Sequence, residues 1–196
     1  MFNRKNPLPK GSKKLIGAWT LYDWANSVYS LVISTAIFPI YYSEYIFANT
    51  DSIILFNIDL NKDTIISLVS AASFMIVAFL SPFLSGIADY LGNKKTFMKF
   101  FVFLGSFSCI GLYWFELETI QFGLLLYVLA LIGLWGSLVF YNSYLPDITY
   151  PDQTNMVSAK GFTMGYIGSV ILLIINLIMI TYYEQLNLSS EVQAMK

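Results

Sequence analysis

Residues 65–95 read IISLVSAASFMIVAFLSPFLSGIADYLGNKK. From Ile65 to Ala88 there is no charged side chain, and about 20 apolar residues suffice to cross a bilayer as a helix. The character then changes within one turn's length: Gly86, Asp89, Gly92, Lys94 and Lys95 fall in a ten-residue gap before the next apolar run begins at Thr96. The stretch predicts a membrane crossing, a compact charged reversal from Gly86 to Lys95, and a second crossing. In the reversal the glycines permit backbone conformations or close approaches that a side chain would hinder. Asp89 can cap a helix N-terminus or pair with a cation.

Working outward, four further readings follow the same rule. Uncharged or nearly uncharged runs cover residues 24–47, 65–88, 96–115, 120–144 and 161–183, five spans in all. Glu44 sits near the far end of the first, and Lys99 lies close enough to one end of the third to snorkel. Residues 1–23 form an N-terminal segment leading into the first helix, and residues 184–196 a polar tail. Backbone in lipid must satisfy its own hydrogen bonds, so each span is expected to be helical. Alternating ten-residue strands of a membrane barrel are absent. The expected class is an all-α integral membrane protein. The whole composition agrees: 57% hydrophobic and 12% charged, with a mean hydropathy of +0.63, against about 25% charged in soluble domains. A cleaved leader is not expected, since the first apolar run is too long and lacks a small-residue cleavage site.

Lysine and arginine orient such a chain, because they stay on the cytoplasmic side. With the N-terminus in the cytoplasm, nine of them (Arg4, Lys5, Lys10, Lys13, Lys14, Lys94, Lys95, Lys99 and Lys160) lie inside and two (Lys62 and Lys196) outside. The outside loops are instead acidic, with Asp51, Asp59, Asp63, Glu116 and Glu118. Aromatic residues at span ends, among them Trp19, Trp24, Tyr41, Tyr42, Trp114 and Tyr182, are expected to anchor at the interfaces. A multi-pass protein of a bacterial cytoplasmic membrane fits this pattern.

The chemistry on offer is narrow. There is no histidine and one cysteine, Cys109, within an apolar run. Metal sites, Ser-His catalysis and disulfide frameworks therefore find no support, and neither an enzyme, a cofactor nor a nucleic-acid partner is expected. Helices in lipid associate through small and polar residues. Asp23, Asn26, Ser27, Ser30 and Ser34 follow one another at helical spacing and predict a single polar face on the first helix. Gly133, Gly136 and Ser137 mark the fourth; Gly161, Gly165 and Ser169, in steps of four, mark the fifth, with Asn176 deeper. Close helix packing and a polar cavity wall are both consistent with these stripes. Intramembrane polar residues are candidate functional groups. Asp23 could bind an amino group, couple a proton, or sit at the interface; Asn26, Tyr141, Asn142 and Asn176 are the other candidate contacts.

The reversal also resembles a signature. Gly86, Ala88, Asp89, Gly92, Lys94 and Lys95 are similar to the loop between the second and third helices of major facilitator transporters. Tyr90 and Asn93 stand where that pattern usually has arginine, which removes two cations from it. Four further blocks resemble the vacuole-effluxer branch of that superfamily: residues 21–27 (LYDWANS), 38–42 (FPIYY), 140–148 (FYNSYLPDI) and 158–168 (SAKGFTMGYIG). The resemblance extends over about residues 15–180. It implies the N-terminal bundle of a major facilitator fold and alternating access by a small-molecule transporter. Fungal members are associated with amino-acid efflux, and the loop aspartate, here Asp89, with a cytoplasmic-side latch. It also implies a sixth helix and a second half not found in these 196 residues, so a truncated or non-transporting scaffold is the alternative reading.

Overall fold

The computed structural model describes residues 8–55, 57–188 and 190–195; Arg4, Lys5 and Lys196 of the charge pattern lie outside them. A helical run opens at Lys13, capped by Ser12, whose hydroxyl accepts from the Leu15 amide. It begins as α1 (Lys13–Val28), widens into π-helical turns at Tyr29–Ile37, tightens for one turn as α2 (Phe38–Ile40), and widens again at Tyr41–Ile46. Pro39 accounts for part of this. Its ring clashes with the carbonyl four residues back, that of Thr35, and a widened turn moves that carbonyl aside. The Thr35 hydroxyl donates to the Ser30 carbonyl five residues earlier, at 2.8 Å.

A small hairpin follows, β1 (Ser52–Leu55) and β2 (Ile58–Asn61), with Leu55 opposite Ile58 and Asn57 at φ 64° in its two-residue turn. The expectation of an all-helical chain did not include it. The signal was Asn57 between two short runs, the second of them alternating, since Asn tolerates the positive φ that tight hairpins need. The strands end where Asn61 caps α3 (Lys62–Leu91) by accepting from the Asp63 amide at 2.9 Å. Pro82 sits inside α3 without ending it.

The charged reversal is tighter than the sequence predicts. α3 runs to Leu91, so Gly86 is helical, and the space beside it is open. Its glycine character is therefore not demanded by the turn. Gly92 alone carries the change of direction, at φ 61° and ψ 28°, with the Asn93 amide bonded back to the Ala88 carbonyl. A β-carbon in that conformation costs about 1–2 kcal/mol. Gly92→Val should lower the thermal unfolding midpoint in detergent, and Gly92→Asn by less; equal midpoints for both would contradict this reading.

α4 (Lys94–Gly111) follows, then short 3₁₀ turns at Leu112–Trp114 and Leu117–Thr119, α5 (Ile120–Ile148), α6 (Thr154–Thr181) and a short α7 (Glu191–Met195). Four helical segments among the described residues are long and apolar enough to cross a membrane: Lys62–Tyr90, Lys94–Trp114, Leu117–Ile148 and Thr154–Thr181. The run from Lys13 to Ile46 adds a fifth long rod, interrupted by its π turns.

The helices pack in two groups. α1 lies along α6; α4 lies along α5, and α3 packs against α5. Glycines set both seams. A β-carbon on Gly133 would stand 2.5 Å from the Gly105 Cα and 2.8 Å from the Phe101 carbonyl oxygen, so α4 and α5 cross backbone to backbone. Along α6, β-carbons on Gly161, Gly165 and Gly168 would meet Trp19, Ser27 and Trp24 of α1. An aromatic core closes the hairpin end: Phe38, Tyr42, Phe47, Phe115 and Tyr127 are buried together. Tyr41 donates to the Phe115 carbonyl at 2.6 Å and Tyr42 to the Lys62 carbonyl at 2.9 Å. Trp19, Tyr41 and Tyr42 are thus core residues rather than interfacial anchors, because they bond to backbone groups of other elements; Trp114 and Tyr182 are exposed. The tail is not uniformly polar either. Met195 of α7 folds back against the aromatic core.

Candidate functional site

Two constellations of polar groups stand out in this apolar bundle. The first is at the lysine-rich end. Lys94, the first residue of α4, reaches Asp89 near the end of α3 at 3.1 Å and Asp147 near the end of α5 at 2.9 Å. Its ammonium also donates to the Ser143 carbonyl at 3.2 Å. One cation therefore ties three helix ends together, using Ser143 and Asp147 one turn apart on α5. The lysine is mostly covered and both carboxylates are about half exposed, so Asp89 keeps a free side for a further partner. Lys95, the other expected cation of the loop, is exposed. The sequence singled out Asp89 and Lys94 but not the second acid on Lys94, Asp147, which comes from a helix end distant in sequence.

The second lies on the α1–α6 seam. Asp23 is 6% exposed, deep in α1. Gly165 opens room for it: a β-carbon there would stand 2.5 Å from the Ser27 Oγ and 3.3 Å from the Asp23 Oδ2. On the α5 side Tyr141 stacks against Trp19 at 4.2 Å between ring centres and against Tyr22 at 5.0 Å. Trp19 donates its indole N–H to the Tyr141 carbonyl at 3.1 Å. The Tyr141 hydroxyl is buried without a hydrogen-bond partner. A β-carbon on Gly161 would come within 3.1 Å of it. Asp23, Tyr141, Gly161 and Gly165 are thus gathered into one region.

Next along the seam is a groove of about 220 Å³ lined by Ser27, Ser30, Thr35, Tyr166 and Ser169. Hydroxyls supply its polarity, and Thr35 and Tyr166 were not foreseen. Asn26 does not join this face. It lines a second cavity of about 430 Å³ with Tyr22, Tyr29, Cys109 and Ser137, between α1, α4 and α5. The predicted single stripe on α1 therefore divides, because Asn26 and Ser27 are 100° apart on the helix and two neighbours flank it. Asn142 is exposed. Asn176 bonds to the Leu172 carbonyl of its own helix at 2.9 Å rather than to another helix. No cluster of three or more metal-ligating side chains occurs among the described residues.

Long apolar helices joined by glycine seams, with a few buried polar groups and a charged clamp at one end, define a polytopic membrane protein. Residues 11–195 match the family model described as "Vacuole effluxer Atg22 like". The chain is 42% identical over 164 residues to the "Uncharacterized MFS-type transporter YxiO" of Bacillus subtilis (strain 168), covering 83% of this chain and 37% of that one. It is 28% identical over 159 residues to an "Uncharacterized protein" of Aquifex aeolicus (strain VF5), covering 80% and 36% respectively. No solved structure matches it. The chain belongs to the vacuole-effluxer family, a branch of the major facilitator transporters, and spans a little over a third of the length of the curated relatives it matches.

Proposed function

We propose that these residues form the N-terminal part of a secondary active transporter that exports amino acids, or small solutes like them, by alternating access. The observation that carries this reading is Asp23: a carboxylate 6% exposed in a membrane helix, beside a groove lined with hydroxyls. Placing a charge there is costly, and such groups mark substrate and ion pathways. In this reading Asp23 receives the substrate's amino group or the coupled proton, and Ser27, Ser30 and Ser169 solvate the path. The remaining wall comes from the transporter's C-terminal half, since substrate sites in this fold lie between halves near the midplane. Asn26, Tyr141, Asn142 and Asn176 are secondary candidates.

The lysine-rich end faces the cytoplasm in this proposal, with the N-terminus inside and the hairpin outside. Asp89, held by Lys94, which Asp147 also binds, acts as the latch to the opposite half. Each role has its own measurement in the complete transporter, reconstituted with a panel of amino acids. Asp23→Asn should lower transport about tenfold, the ~1.4 kcal/mol expected when a hydrogen bond to a charged group is weakened, and should alter its pH dependence. Unchanged kinetics across pH would overturn the role of Asp23. Asp89→Asn should shift the ratio of inward- to outward-accessible states in cysteine labelling while leaving affinity intact. An unchanged ratio would remove the latch.

A further inference from the structure

The first π-helical stretch, Tyr29–Ile37, is nine residues long, whereas π turns usually occur as single bulges, frequently at functional sites. The widened register decides which side chains share a face. Val32, Ile37, Tyr42 and Phe47 recur every five residues and are all buried. Ser30, Thr35 and Ile40, also five apart, are all exposed. Residues five apart stand about 140° from each other on an α-helix, so neither stripe belongs to an α register.

Both ends of the stretch are held. Towards the lysine-rich end, Trp19, Trp24 and Ser27 fit the glycine seam of α6. Towards the hairpin, Phe38 stacks on Tyr127 at 4.6 Å and on Phe115 at 5.7 Å between ring centres. A change of register between these anchors is confined to Tyr29–Ile37, and hydroxyls there are placed for either register. In the α-helices of this protein hydroxyls donate four residues back: Ser73 to the Val69 carbonyl, Ser108 to Leu104 and Thr163 to Ala159. Thr35 donates five back, to Ser30. The neighbouring Ser34 hydroxyl is buried and closes no hydrogen bond of good geometry. In an α register Ser34 would donate to the Ser30 carbonyl and Thr35 to the Leu31 carbonyl, as in the other helices. The two registers thus compete for one acceptor, the Ser30 carbonyl, and each has a hydroxyl to fill it. Pro39 favours the wide register by displacing the Thr35 carbonyl.

The register also sets which hydroxyls line the groove beside Asp23. Ser30 and Thr35 line it together in the π register. In an α register Ser34, about 40° from Ser30, would take that place, and Thr35 would turn to within about 60° of buried Val32.

We propose that Tyr29–Ile37 is a two-register switch: the π register presents Thr35 to the groove, and the α register withdraws Thr35 and presents Ser34. Its effect on transport rests on the groove's being part of the solute path; the switch itself does not.

The test uses cysteine pairs and cadmium, a soft cation that thiolates hold. In a Cys109→Ala background, the pair Ser30→Cys, Thr35→Cys captures the π register and the pair Ser30→Cys, Ser34→Cys the α register. In membranes holding the 196-residue chain, cadmium at about ten times its dissociation constant should slow maleimide alkylation of both pairs about tenfold. The three single-cysteine variants should be unaffected. Protection of the 30/35 pair alone would show a fixed π register, and protection of the 30/34 pair alone a fixed α register; either would overturn the switch. Pro39→Ala should tighten cadmium binding at the 30/34 pair and weaken it at the 30/35 pair, and the opposite shifts would also overturn it. In the complete transporter, freed of its other cysteines, either bridge should cut transport of a panel of amino acids by about the same tenfold, reversibly with a chelator. Transport that continues with both bridges formed would remove the groove from the solute path, while the two protections would still establish the switch.

Discussion

Gly133→Ala should be among the most damaging single substitutions in this chain, although it adds one methyl group. The added carbon would stand 2.5 Å from the Gly105 Cα and 2.8 Å from the Phe101 carbonyl oxygen. Both obstacles are backbone, and neither can rotate away. α4 and α5 would have to separate along their whole crossing, which also carries the stacked pair Phe101 and Phe140. Overpacking of this kind costs about 1–3 kcal/mol, and the separation of two helices sets it at the upper end. Gly136→Ala makes the useful contrast. The three atoms nearest its methyl all belong to the Phe101 ring, the closest at 2.5 Å. A ring can be shortened, so Phe101→Leu should recover most of the stability lost in Gly136→Ala and none of that lost in Gly133→Ala. The readout is the thermal midpoint of helix loss, followed by circular dichroism in detergent. Rescue of both glycine variants by Phe101→Leu would show that the backbone crossing is not the constraint.

That contrast also marks the limit of sequence reading here. Each apolar run overlaps a long helical rod, because the bilayer fixes how many uncharged residues a crossing needs, but the first and last rods open earlier than their runs, at Lys13 and Thr154. The glycine stripes at 133–136 and 161–165 foretold packing faces, because small residues are what lipid-embedded helices bring together. Neither signal says which helix meets which. That Gly133 faces Gly105, and that Gly165 faces Ser27, depends on how the helices assemble. The split of the α1 stripe escaped for the same reason: a helical wheel gives angles but not neighbours. Lys94 was legible as a loop cation. Its second acid, Asp147, comes from a helix end far along the chain. The π turns escaped because sequence patterns assume a constant helical period, and Pro39 gave only an indirect hint of the widening before it. The aromatic residues misled in one direction: a tyrosine at a span end can snorkel to the interface or donate inward, and Tyr41 and Tyr42 donate inward.

The α1–α6 seam should respond differently from the α4–α5 crossing, and the difference bears on Asp23. A β-carbon on Gly165 would meet the Ser27 hydroxyl at 2.5 Å, the Ser27 Cβ at 3.1 Å and the Asp23 carboxylate at 3.3 Å. The worst of these is one side-chain oxygen. Gly165→Ala alone should therefore cost about 1–3 kcal/mol of stability, by driving Ser27 against its own helix and pushing Asp23 from its place. Ser27→Ala alone should cost less, since it removes a hydroxyl from a partly open groove. Combined, the two should be less damaging than their sum, with a coupling of at least about 0.5 kcal/mol, as expected for residues in direct contact. Gly168→Ala supplies the control. It would meet the Trp24 side chain but also the Trp24 carbonyl oxygen at 2.8 Å, so Trp24→Ala should not rescue it. In the complete transporter the Gly165→Ala, Ser27→Ala pair should recover stability without recovering full transport, because the groove has lost a hydroxyl beside Asp23. If stability and transport returned together, Ser27 would serve packing alone, and the polar path proposed above would have to begin at Ser30.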